Sequence, residues 1–243
     1  GNHDCQKLTE ENKAREGLIK FAQDNGSEAI DQSVVDILSS VQTNYFDFAK
    51  HYNPEPIYSS ELLNIYKFQF GDKSLVFYTY NTAFQSILHE QPGKMIYPVS
   101  MFDDNLFKEK ANAIISCFHH PLHWLKPENR REFKFHVEKT SDFYFTGHEH
   151  EHTKSLISNL DDNLVYYVEG DVLQDNANPK LSGFNLVYFD LSENKFQIAN
   201  YKWNGEKYSN ENSDSKWISY ERGASKVLSP YELKASFKQT LND

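Results

Sequence analysis

Cysteine is almost absent from these 243 residues: Cys5 and Cys117 are the only two, they form no CxxC pair, and Cys117 sits inside the apolar run AIISCF. That excludes a thiolate zinc site and a disulfide-rich scaffold, and points to two free thiols in a reducing, cytoplasmic setting. No apolar run approaches the roughly 18 residues that cross a bilayer, so no membrane span is expected; a leader removed upstream would leave no trace in these residues. Basic charge is also short, with 25 Lys and Arg against 35 Asp and Glu and a net charge of −10. Nucleic-acid binding through a broad basic face is therefore disfavoured, although a metal-lined cleft can reverse the sign locally. Internal repeats and low-complexity blocks are absent too.

Aromatic side chains are plentiful, 18 Phe and 15 Tyr against 10 Gly. They fall in short runs with β-branched residues: IYKFQF, SLVFYTY, AIISCF, DFYFTG, LVYYVEG, FNLVYFDL and FQIANYKW, each bounded by turn residues. Before them, residues 9–25 read as a helix with Thr9 as cap and Gly26 as stop. Residues 27–51 read as a second helix, whose apolar positions Ile30, Val34, Ile37, Leu38, Val41, Tyr45 and Phe48 recur at steps of three and four. Further helices are expected across DDNLFKEKANA and PENRREFKFHVEKT. Strands alternating with helices, then consecutive strands, define an α/β protein ending in a β-meander. After Trp203 the stretch NGEKYSNENSDSK reads as a linker, and SPYELKASFKQTL as a terminal helix capped by Ser229 and Pro230.

Chemistry concentrates in the histidines. Seven of the ten lie in three places: His3 in GNHD, then His119, His120 and His123 in FHHPLHW, then His148, His150 and His152 in GHEHEH. The two later clusters each follow a predicted strand directly. In α/β folds the carboxyl ends of neighbouring strands share one crevice, so the clusters and the Asn2–His3 pair become candidates for one site. Imidazole with a neutral amide oxygen suits Zn, Fe, Mn or Co. His51, His89 and His136 read as solvated surface residues.

The ordered set GNHD, FHHP, GHEH resembles the second half of the calcineurin-like metallophosphoesterase signature, over residues 1 to about 203. The resemblance implies an α/β/β/α fold, a central β-sandwich flanked by helices, with an insertion at about 9–110 after GNHD and a linker and helix at 204–243. It implies a hydrolase with two divalent cations, manganese first and iron, zinc or cobalt as alternatives, which opens a phosphomonoester or phosphodiester, nucleotides included, with a metal-bridged hydroxide. Asn2, His119 and His148 would hold the second cation and His150 the first. His3 would face the substrate as general acid or as hydrogen-bond donor to the phosphoryl oxygens. Asp4 and His120 are candidates for supporting or substrate contacts, with an exposed role equally open for His123 and His152.

The first half of that signature, DxH then GDxxD, does not occur in these residues; GDVLQD at Gly170–Asp175 has one residue too many and comes too late in order. The expectation is that those motifs stand upstream of Gly1, within a longer chain that carries further domains. Without them the inferred ligands Asn2, His119 and His148 are all neutral, a weak shell for a divalent cation. The competing expectation is therefore a catalytically silent phosphoesterase fold used as a binding or sensor module.

Overall fold

A computed structural model describes residues 1–6, 13–87, 89–149, 165–173, 182–212 and 215–220. Helices α1 (Lys13–Asn25), α2 (Gln32–Ser39) and α3 (Thr43–Tyr52) come first, then strands β1 (Tyr58–Ser59), β2 (Leu63–Phe70), β3 (Lys73–Tyr80) and β4 (Ala113–Phe118). Helix α4 (Pro127–Thr140) leads to β5 (Phe143–Thr146) and β6 (Tyr166–Glu169), and β7 (Gly183–Asp190), β8 (Lys195–Trp203), β9 (Tyr208–Asn210) and β10 (Ile218–Ser219) follow. Strands β1 to β6 form one sheet in chain order, antiparallel from β1 to β3 and parallel from β3 to β6. A second sheet, β10-β8-β7 with β9 also on β8, is antiparallel throughout.

The result is a mixed α/β sandwich. One core lies between the large sheet and the helices, where Leu38, Ile65, Val76, Phe84, Phe118 and Phe133 are buried. The other lies between the two sheets, where the Phe143 ring meets Phe189, Phe196 and Tyr220 edge-on at centroid distances of 5.0, 5.0 and 5.1 Å. Burying each such ring stabilises the fold by about 1.5–3 kcal/mol, with the edge contacts adding to that. The alternation of β3, with Ser74, Val76, Tyr78 and Tyr80 buried on one face, aims its intervening residues at the second sheet. No helix among the described residues is long and apolar enough to cross a membrane.

Local chemistry explains where elements stop. The Asp31 carboxylate caps α2 by accepting the Val34 N–H at 3.0 Å, and Pro127 opens α4. Gly71 takes the left-handed φ of 61° that the two-residue turn between β2 and β3 needs. The predicted helix over 27–51 is broken into α2 and α3 by a 3-10 turn at Ser40–Gln42. There the Val41 carbonyl accepts the Gln6 N–H at 2.7 Å and the buried Gln42 side chain exchanges hydrogen bonds with Asn81. Ile37, Tyr45 and Phe48, read as core-facing, are exposed. The predicted helix over DDNLFKEKANA reduces to a 3-10 turn, Asp104–Phe107, because Asn112 must already run alongside β3, donating to the Ser74 carbonyl at 2.8 Å and accepting its N–H at 3.1 Å.

The segment 9–110 is built into the sandwich: its hairpin β2-β3 extends the large sheet, and α1 and α2 pack on the same core. The supposed linker after Trp203 supplies β9 and β10 to the second sheet, and Tyr220 is buried between the sheets. The helical layer described here covers the large sheet; the predicted helix at 229–241 lies outside the described residues. Cys5 and Cys117 are both free and half-buried.

Candidate metal centre

Because β3, β4 and β5 run parallel, the loops that follow them leave the sheet at one edge. His119 and His120 follow β4, His148 follows β5 after Gly147, and Thr82 and Glu90 follow β3. The Gly147 N–H donates to the His119 carbonyl at 3.0 Å, which ties the two histidine loops together. Asn2 arrives from a 3-10 turn, Asn2–Asp4. Gly1, on the same turn, packs so closely on the His119 ring that a Cβ there would lie 2.6 Å from its Cε1 and Nδ1.

Two short contacts meet at His119. His119 Nε2 lies 2.9 Å from Asn2 Oδ1 and 3.1 Å from His148 Nδ1. Two donors each about 2.1 Å from one cation stand about 3.0 Å apart at a right angle and about 3.4 Å apart at the tetrahedral angle, so these spacings, which also suit hydrogen bonds, are compatible with ligands to a shared ion. His119, His120 and His148 together offer nitrogens within 4.8 Å of one another. His148 holds a left-handed φ of 75°, unusual for a side chain with a Cβ, and its ring stands edge-on to Trp124 at 4.1 Å. Such strain costs about 1–3 kcal/mol and persists where surrounding contacts over-determine the residue.

Burial above all, then the neighbouring imidazoles of His120 and His148, pushes the His119 ring down to about 2. The imidazole is therefore neutral, the state in which it can donate a lone pair. His120 is fully buried: its Nδ1 meets Thr82 Oγ1 at 3.0 Å and its Nε2 meets Glu90 Oε2 at 3.3 Å. Both nitrogens are occupied, so His120 serves as a wall of the site.

Glu90 supplies what the sequence reading lacked. Its side chain is 6% exposed, it accepts the Asn2 Nδ2–H at 2.9 Å, and it lies 3.8 Å from His148 Nε2. Burial alone would raise the carboxyl, but the hydrogen bond and charge of His120, the Ser86 hydroxyl and His148 outweigh it and hold the group at about 2, ionised. Glu90 Oε1 and Ser86 Oγ are both buried without a fully formed hydrogen bond among the described residues. The three inferred ligands are neutral as the motifs imply, but a buried carboxylate touches Asn2 and faces His148, and these donors fit a divalent cation.

The remaining candidates sit further out. His3 and Asp4 are exposed on the first turn. His123, half-exposed, meets Glu149 Oε1 at 2.6 Å, and the Trp124 indole N–H donates to the same oxygen at 3.0 Å. His150 and His152 lie outside the described residues. Asp171 of GDVLQD follows β6 and pairs with Lys202 of the second sheet. His136, read as solvated, is buried on α4, where its Nε2 meets the Tyr80 hydroxyl at 3.0 Å. Glu90 itself was missed, although it is the only acid between Asp72 and Asp103.

No protein-family model matches this chain, and no curated protein does. Among solved structures it is similar to a hypothetical protein from Thermus thermophilus, at 11% identity and a TM-score of 0.37, over 90% of this chain and 98% of that one. It is also similar to a phosphatase from Mycoplasma pneumoniae, at 12% identity and a TM-score of 0.32, over 70% of this chain and 59% of that one. A third likeness is to Vacuolar Protein Sorting 29 from Cryptosporidium parvum, at 14% identity and a TM-score of 0.29, over 72% and 76%. At these levels the likenesses carry no functional argument.

Proposed function

We propose that this chain carries the metal site of a phosphoesterase, a hydrolase of phosphomonoesters or phosphodiesters. One observation carries the reading: at the carboxyl edge of a parallel sheet, His119 Nε2 stands 2.9 Å from Asn2 Oδ1 and 3.1 Å from His148 Nδ1. These three side chains would hold a divalent cation, manganese being the first candidate. When bound, such an ion supplies positive charge toward phosphoryl oxygens and an acidified water. Phosphoryl transfer needs charge neutralisation and in-line positioning more than covalent chemistry, which suits a site of neutral donors with one buried carboxylate behind them. His3, exposed beside Asn2, is free to turn toward a substrate and protonate the leaving oxygen or donate to the phosphate. The donors placed together among the described residues account for one cation; a second, for which the family resemblance names His150 as ligand, belongs to the same proposal.

The test is hydrolysis of chromogenic mono- and diester phosphates by the full-length protein in manganese, beside His119→Ala and His3→Ala. His119→Ala should lower turnover by more than about a thousandfold, because it removes the donor central to both short spacings; loss of a single charge-stabilising group already costs about 10²–10³. His3→Ala should lower it by about 10²–10⁴, the usual contribution of a general acid. Metal-loaded protein that turns over neither ester class would leave the silent binding module as the better reading.

A further inference from the structure

We infer that Glu90 is the positioning residue of this site: its carboxylate selects which face of Asn2 and which nitrogen of His148 is turned toward the cation. The inference rests on the preceding reading that Asn2, His119 and His148 hold that cation.

An asparagine amide is nearly symmetric in shape, so something must decide which end faces the donors. Here Nδ2 donates to Glu90 Oε2 at 2.9 Å and Oδ1 faces His119 Nε2 at 2.9 Å. Flipping the amide would set Oδ1 against a carboxylate, two acceptors in contact with no proton between them, inside a pocket where the Glu90 side chain is 6% exposed. It would also turn an N–H toward the cation. Glu90 therefore keeps the amide oxygen available.

The same oxygen acts on the imidazoles. Glu90 Oε2 lies on the Nε2 side of His148, at 3.8 Å, while His148 Nδ1 faces His119 Nε2 at 3.1 Å. A carboxylate on one side of the ring favours the proton there and leaves the lone pair on Nδ1, the arrangement by which carboxylate–histidine pairs orient metal ligands. His120 completes the frame. Thr82 Oγ1 accepts the His120 backbone N–H at 3.1 Å and stands 3.0 Å from Nδ1, while Nε2 faces Glu90 at 3.3 Å. One carboxylate oxygen thus stands within 3.8 Å of three side-chain nitrogens, two of them on proposed ligands. A role limited to pairing with His120 would not require Oε2 to reach Asn2 across 88 residues of sequence.

The experiment is cobalt(II) titration of the metal-free full-length protein, read by calorimetry and by the visible absorption bands of the bound ion, with melting temperature of the metal-free form as the folding control. Glu90→Gln should bind cobalt about 10–100-fold more weakly, with shifted bands, as expected when a supporting partner of a ligand is lost. Combining Asn2→Asp with Glu90→Gln exchanges donor and acceptor across the same hydrogen bond and moves the charge onto the ligand; affinity should recover at least tenfold over Glu90→Gln alone. Wild-type affinity and bands in Glu90→Gln, with binding abolished in His119→Ala, would overturn the positioning role while leaving the metal site standing. Unchanged binding in His119→Ala would overturn the site itself. A double variant no better than Glu90→Gln alone would also overturn the positioning role.

Discussion

Two buried histidine environments in this molecule differ in kind. Around His136, apolar rings fill the space: the Tyr80 hydroxyl meets Nε2 at 3.0 Å, and the Phe107 ring stands edge-on at 4.4 Å. At the sheet edge, Asn2, Glu90, His119, His120 and His148 converge with a glycine where a side chain would intrude and a strained backbone at His148. Burial alone therefore does not mark a site. What separates the two is that His136 is one satisfied polar group in an apolar setting, whereas the edge cluster gathers three imidazoles, an amide and a carboxylate within hydrogen-bond reach of one another.

The sharpest break in that comparison comes from the smallest residue. Gly1→Ala places a Cβ 2.6 Å from His119 Cε1 and Nδ1 and 2.9 Å from Nε2, so the first turn and the ring must shift relative to each other, and the Asn2–His119 spacing with them. A misplacement near 1 Å costs about a hundredfold in rate, and that loss is expected here with little change in melting temperature. Gly17→Ala on α1 is the control: nothing lies within 4 Å of its added Cβ, and the helix should gain about 1 kcal/mol. Equal activity in both variants would show that the packing of Gly1 on His119 does not define the site.

The second prediction concerns acid. Burial lowers the His136 pKa from 6.5 to about 4. Above pH 6.5 both folded and unfolded chains carry the neutral ring, so the full stability is present there. As pH falls from 6.5 to 4 only the unfolded chain takes the proton, and stability drops by about 3 kcal/mol. Replacing both partners, Tyr80→Phe with His136→Phe, removes the titration and the hydrogen bond together, which should be nearly neutral at pH 7. Urea unfolding at pH 7 and pH 4.5 reads this directly: the double variant should lose markedly less stability on acidification. Parallel pH dependence in both proteins would place the acid sensitivity elsewhere.

Much of this was legible in the sequence, for identifiable reasons. His119 and His148 announce themselves because each follows a β-rich aromatic run, and strand ends are where such sheets gather ligands. Glu90 gives no such signal; its partners lie 88 and 30 residues away and a lone acid in a loop has no periodicity to betray it. His136 was readable in retrospect, since it stands three residues after Phe133, one turn along the same face of α4. The 27–51 helix kept its apolar period across a break, because the break is set by Gln6 and Asn81, far along the chain. β9 and β10 were hidden by brevity: with three and two residues each they show no alternation, and only Tyr220 beyond them is anchored in the core.

The smallest effect is expected at the rim, and it decides how far the edge cluster extends. His123 stands in the FHHPLHW motif beside true members of the cluster, yet its side chain is 47% exposed and its one described hydrogen bond is to Glu149 Oε1 at 2.6 Å. An exposed pair of this kind contributes about 0–1 kcal/mol, so His123→Ala should change turnover less than about fivefold. The Trp124 indole N–H to the same Glu149 oxygen, at 3.0 Å, remains in place, and with it the ring edge that supports His148 at 4.1 Å. Steady-state kinetics on the preferred ester check this. A loss approaching that of Gly1→Ala would mean that Glu149 and His123 act on substrate, and the boundary between the converging cluster and its solvated rim would have to be redrawn to include them.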